Sequence, residues 1–260
     1  MPRRAGAARP ARRLAGVVLA LGWLVSACRP QPALPPTPVT LRVAATDLAG
    51  PLLVDLAQAY AVAQPKASVL ASTPPLSALP ADLAAGRVDL ALAATYSTDQ
   101  FATPIGYATL MVVVNPANPL SRLSAAKLRD IFTGRASDWA QVGGPAGLIQ
   151  VVCREDQSDG AAAFDRLALE GAVPTLNALV APSWAAMRSA VSANPQAIGY
   201  LPAPELEAGV RPVNLEQPLR FLIAAVAPQA PQGAARDFVA WAQSAAGQEV
   251  VAKEYEAVNR

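Results

Sequence analysis

Residues 41–71 read "LRVAATDLAGPLLVDLAQAYAVAQPKASVLA". The first five are a short apolar run, which suits a buried strand. Leu52, Leu56 and Tyr60 then recur at four-residue spacing with Leu53 and Ala57 beside them, and Pro51 suits a first helical turn. Residues 67–71, "ASVLA", read as a second strand. Downstream, "LSALPADLAAG" predicts a short helix ending at Gly86, and "VDLALAA" (88–94) a third strand. Strand, helix, strand, helix, strand with short links predicts a parallel α/β sheet.

The pattern continues along the chain. "ATLMVVVNP" (108–116) is the strongest β run. "LSAAKLRDIFTG" predicts a helix with Ser124 as N-cap and Gly134 beyond its end. "LIQVVC" (148–153) reads as a buried strand and "SDGAAAFDRLALEG" as the helix after it. "SWAAMRSAVSANPQAIGYL" reads as helix, turn and strand. "PLRFLIAAVAP" is a second long strand, and "AARDFVAWAQSAAGQEVVAKEY" a closing helical region.

Composition narrows the function classes. Of 260 residues, 53% are hydrophobic and 15% charged, enough for one large core or two lobes. Twenty-five prolines argue against an all-helical bundle. The formal charge is only +2, and Arg3, Arg4, Arg9, Arg12 and Arg13 fall in the leader, so the rest is mildly acidic. No basic face for nucleic acid follows from this. Histidine is absent, which removes His-based triads, most zinc sites and the usual general base. The acidic residues form no recognisable catalytic pair, so no enzyme activity and no cofactor are expected.

The leader "MPRRAGAARPARRLAGVVLALGWLVSACRP" joins a basic stretch to an apolar run, Leu14 to Val25. It predicts a secretory signal over residues 1–27, since the run is short for a membrane span. Its end, "LVSAC", resembles a bacterial lipobox, which implies cleavage before Cys28 and a lipid on that cysteine. The alternative is an ordinary signal peptide with a chance cysteine. Prolines in "RPQPALPPTPV" favour a semi-rigid spacer, so residues 28–40 are expected to be a linker that lifts the body off a membrane. The other cysteine, Cys153, is expected in a buried strand.

Five blocks in this order carry a family resemblance: "ADLAAGRVDLALAA", "MVVVNPANPLSRLSAAKLRDIFTGRASDWAQVGG", "QVVCREDQSDGAAAFDRL", "NPQAIGYLP" and "ARDFVAWAQSAAGQEVV". They resemble the phosphate-binding component of bacterial ABC importers, and "LRDIFTGRASDWAQVGG" followed by Arg-x-x-x-Ser is the most specific. The resemblance runs from residue 41 nearly to the C-terminus. It implies a type II periplasmic-binding-protein fold, in which two α/β lobes are joined by two crossing strands with a ligand cleft between. The crossings are expected at about 107–114 and 210–225, so lobe one takes residues 41–107 with 215–260 and lobe two takes 108–214. The implied partners are a small-molecule ligand, phosphate or another oxyanion, and an ABC permease, with a monomeric body tethered to the extracytoplasmic face of a bacterial membrane through its lipid.

By the same resemblance, four loops are expected to build the site. In "AATDLAGP", Thr46 keeps a hydroxyl, Leu48 offers its backbone N–H, and Asp47 replaces a usual hydroxyl residue. Asp47 is either a ligand acceptor or a helix cap. In "ASTPPLSALP", Pro74 and Pro75 stand where relatives have a Gly/Ser-rich turn, leaving Ser72, Thr73 and Ser77 as contributors or plain turn residues. In "LAATYST", Thr95 is the candidate. In the fourth loop, Arg154 and Ser158 match the family's Arg-x-x-x-Ser, but Asp159-Gly160 replaces the usual Gly-Thr. Arg154 is expected to clamp an oxyanion, or else to pair with Glu155, Asp156 or Asp159. Asp159 would neutralise Arg154 or cap the helix.

A like-charge contact at 4 Å costs roughly 4 kcal/mol at an effective dielectric near 20, more than the roughly 1 kcal/mol of an ordinary hydrogen bond. Asp47 and Asp159 therefore leave three receptor readings open: a small oxyanion, a zwitterion or neutral polar solute, or a tethered interaction or sensory module with a degenerate cleft.

Overall fold

The computed structural model describes residues 39–94 and 97–258. The signal segment 1–27, Cys28 and Thr95 lie outside the described residues. All the described residues fall in one compact unit, Pro36–Arg260.

Strand β1 (Val39–Ala45) leads into helix α1 (Gly50–Ala63), and β2 (Ala67–Ser72) returns parallel to β1. The strand starts two residues earlier than the sequence predicts. Val39 and Thr40, assigned to the linker, pair with Ala67 and Ser68, because the β2 edge extends far enough to receive them. Leu52, Leu53, Leu56 and Tyr60 form the buried stripe of α1, as their spacing requires. Helix α2 (Leu79–Ala84) and strand β3 (Leu90–Ala93) complete the first parallel unit.

Strand β4 (Phe101–Val114) is seven residues longer at its start than the apolar run suggests. Pro104 and Gly106 disguise that start. Proline cannot donate to a ladder, and here it sits beside a register shift between Ile223 and Ala224 of the facing strand. Two-residue β5 (Arg122–Leu123) precedes α3 (Ala125–Phe132), which Ser124 caps by accepting from Lys127 N–H at 3.3 Å. Strand β6 (Gln150–Arg154) enters α4 (Asp159–Phe164), which widens into a π turn over Asp165–Leu169. Then come β7 (Leu179–Ala181), α5 (Trp184–Ala193) and β8 (Ala197–Pro202). Short β9 (Arg211–Pro212) and β10 (Asn214–Leu215) precede β11 (Leu219–Ala227), and α6 (Gly233–Ala242), α7 (Ala245–Val251) and β12 (Glu256–Ala257) close the chain.

The main sheet runs β2-β1-β3-β11-β4-β8-β6-β7. Two parallel groups, β2-β1-β3 and β8-β6-β7, are joined through the antiparallel strands β11 and β4. Strand β4 serves both groups, pairing with β11 over Phe101–Leu110 and with β8 over Leu110–Val114. The last helices return to the first group, where Phe238 of α6 meets Tyr60 edge-on at 5.1 Å. In the other group Phe132, Phe164 and Tyr200 form an aromatic stack, with the last two rings parallel at 3.9 Å.

Candidate functional site

The loops following β1 and β6 leave the carboxyl ends of strands separated in the sheet by β3, β11, β4 and β8. The sheet curls enough to bring these loops into contact. Leu48 N–H donates to Asp159 Oδ1 at 3.2 Å, and Arg154 Nη2 donates to Asp47 Oδ2 at 2.7 Å. Ligand sites in open α/β sheets lie outside such strand ends. Beside these contacts is a cavity of about 520 Å³ lined by Thr46, Asp47, Thr73, Pro74, Pro75, Leu76, residues 154–159 and Pro182.

Arg154 is the centre of this arrangement. Its side chain is only 4% exposed. Nη1 donates to Ala181 O at 2.6 Å, and its backbone N–H donates to the Tyr200 hydroxyl at 3.1 Å. The guanidinium lies over the Trp184 ring, 4.7 Å from its centroid, a stacked cation–π position. Trp184 itself fits because residue 160 is glycine, since a Cβ there would collide with the indole. Gly160 thus has a packing reason as well as its predicted place in the site loop.

The candidate residues divide by what they do here. Asp47 does not cap α1, whose N-cap is Ala49 with no side-chain cap bond. It is instead the ion-pair partner of Arg154, from 107 positions away, where the sequence suggested Glu155, Asp156 or Asp159. Asp159 opens α4 but reaches across to Leu48 N–H rather than to Arg154. Leu48 contributes its N–H to that bond while its side chain joins the core. Ser158 caps α4, its hydroxyl accepting from Ala161 N–H and donating to Glu155 O. Thr46 is buried at the cavity wall with a long 3.5 Å contact to Leu92 O. Thr73 reaches the cavity beside Pro74 and Pro75, which have no N–H to offer.

Several buried polar atoms in the site have no hydrogen-bond partner among the described residues: Asp47 Oδ1, Asp159 Oδ2, Arg154 Nε and Trp184 Nε1. Buried polar groups are almost always satisfied, so such a concentration marks a place for a ligand or ordered water. Cys153, next to Arg154, takes no part. Its thiol is buried in β6 and pushed up to about 12, by burial first and then by Asp165 and Asp156, so it stays protonated and unreactive. Sequence reasoning missed Trp184 and Tyr200, although both lie in stretches read as structured.

A family profile described as a PBP superfamily domain matches residues 31–214. The phosphate-binding protein PstS of Bacillus subtilis (strain 168) is 34% identical over 92 residues, which cover 35% of this chain and 30% of that protein. The matched segment is therefore less than a third of that relative. Among solved structures, a putative phosphate ABC transporter substrate-binding protein with bound phosphate from Clostridium perfringens superposes with a TM-score of 0.76 at 22% identity, covering 85% of this chain and all of that one. An ABC-type phosphate transport receptor from Vibrio cholerae gives a TM-score of 0.71 at 22% identity, covering 83% and 99%. These likenesses establish the expected α/β periplasmic-binding fold.

Proposed function

Because this chain belongs to the PBP superfamily, we propose that it is an extracytoplasmic solute-binding protein that takes phosphate or a related small oxyanion beside Arg154 and delivers it to an ABC permease. The observation that carries the reading is a buried guanidinium whose Nε has no partner among the described residues, set against a cavity. Permanent charge and planar donors make arginine suited to bidentate oxyanion capture. In this reading residues 41–107 with 215–260 form one lobe and 108–214 the other. A ligand that touches both Leu48 and Arg154 would favour the closed state. Thr46 and Ser158 line the pocket, and Gly160 and Thr95 are further candidate ligand contacts. The protein binds and releases without chemical change. A signal peptide over 1–27, lipid on Cys28 and a proline-rich tether to residue 38 would hold it, as a monomer, at the membrane face.

A second ligand class is favoured by one observation. Asp47, Glu155, Asp156 and Asp159 line the cavity beside Arg154, and among the described residues two of their buried oxygens lack donors. A zwitterion could place its anionic end on Arg154 and its ammonium on those oxygens. Thermal denaturation of the purified protein with phosphate, sulfate, molybdate, amino acids or sugars separates the two. A ligand at a hundred times its Kd adds about 2.7 kcal/mol. Stabilisation by phosphate is the expected result. Stabilisation by an amino acid alone selects the second class, and no response to any of them would contradict a solute-binding role.

A further inference from the structure

We propose that Asp47 is a built-in competitor for the anion seat, and so the residue that sets how strongly this receptor holds an oxyanion; the inference rests on the oxyanion reading of Arg154. The side-on edge of a guanidinium, Nε with Nη2, is where a carboxylate or phosphate makes two parallel hydrogen bonds. Asp47 makes only one. Its Oδ2 accepts from Nη2 at 2.7 Å, while Nε and Asp47 Oδ1 are both buried and without partners among the described residues. A well-matched ion pair would satisfy all four atoms. The half-made pair is what results when a short side chain, fixed by the turn before α1, reaches a donor edge shaped for a larger acceptor.

The second donor is occupied in the same manner. Leu48 N–H, adjacent in sequence to Asp47, donates to Asp159 Oδ1, and Asp159 Oδ2 is left over. The chain's own carboxylates thus hold both Arg154 Nη2 and the neighbouring Leu48 N–H. They differ in exposure. Asp159 is 1% exposed and opens α4, whereas the Asp47 side chain is 28% exposed at the cavity wall. Asp47 is the group able to swing into water when a ligand oxygen takes Nη2 and Nε together. Every oxyanion that binds must displace it, which weakens binding and favours anions able to use the whole guanidinium edge.

Titration calorimetry with inorganic phosphate on wild type, Asp47→Asn and Asp47→Asn/Arg154→Gln tests this. Asparagine keeps the shape and removes the charge. Phosphate is expected to bind Asp47→Asn at least tenfold more tightly than wild type, with the gain lost in the double variant. If wild type binds and Asp47→Asn binds equally or more weakly, the competitor role is overturned while the oxyanion reading stands. If wild type is silent and Asp47→Asn binds, the competitor role stands and phosphate is not the native ligand. If neither binds, both are overturned. Thermal denaturation of each variant confirms that it is folded.

Discussion

Arg154→Ala is expected to lower stability by about 3 kcal/mol and to weaken oxyanion binding by tenfold or more. The stability loss comes from the partner. Removing one member of a buried ion pair typically costs about 3–5 kcal/mol because the other charge is left uncompensated. Asp47 is partly exposed, so water recovers some of that and the lower end applies. Contacts with Ala181 O and the Trp184 ring are also lost. For a body of this size the change corresponds to a fall in Tm of roughly 6–12 °C. The binding loss comes from a charge-assisted contact worth about 1.5–3 kcal/mol. Calorimetry measures both. An Arg154→Met/Asp47→Leu pair separates them, because exchanging both charges for apolar groups is often close to neutral for stability. That variant should regain most of the Tm and none of the binding. Unchanged affinity in Arg154→Ala would remove Arg154 from the site.

Trp184→Ala has an effect of similar size for a different reason. The indole is buried between Gly160, the Arg154 guanidinium and the edge of the Tyr200 ring. Truncation leaves a large cavity at a site where the backbone of α4 has been brought close to receive a ring. Such changes cost about 3–5 kcal/mol, and the cation–π contact adds to the loss. Thermal unfolding should show a Tm lower by roughly 10 °C. Phosphate affinity should fall as well, because the guanidinium loses the surface that fixes its plane. Trp184→Phe should restore most of both. A lowered Tm with unchanged affinity would make Trp184 a core residue with no part in positioning Arg154.

The elements legible in the sequence were those whose signal is local. The buried stripe Leu52, Leu53, Leu56 and Tyr60 defines α1 by its period, and Ser124 with Gly134 brackets α3. The opening of β4 was hidden because Pro104 and Gly106 are poor strand residues in isolation, and the register shift beside the proline, which leaves Ile105 unpaired, shows only against β11. Strand β7 escaped notice because it is three residues long and exposes Leu179 and Val180, leaving no alternation to read. The same division holds in the site. Arg154 and Ser158 stand at a strand-to-helix turn and could be singled out by that place and by the match to the family's Arg-x-x-x-Ser. The partner of Arg154 could not, because Asp47 reaches it only after the whole sheet has curled. Local candidates such as Asp159 looked equally suitable until the fold turned that carboxylate toward Leu48. Trp184 and Tyr200 act through packing and a single hydroxyl, neither of which leaves a motif.

The most direct test is a crystal structure of the protein grown with saturating phosphate. The predicted result is one phosphate with its oxygens on Arg154 Nε and Nη2, with the Asp47 carboxylate turned away toward solvent. An intact Asp47–Arg154 pair with the cavity free of phosphate, or phosphate held elsewhere, would contradict the account.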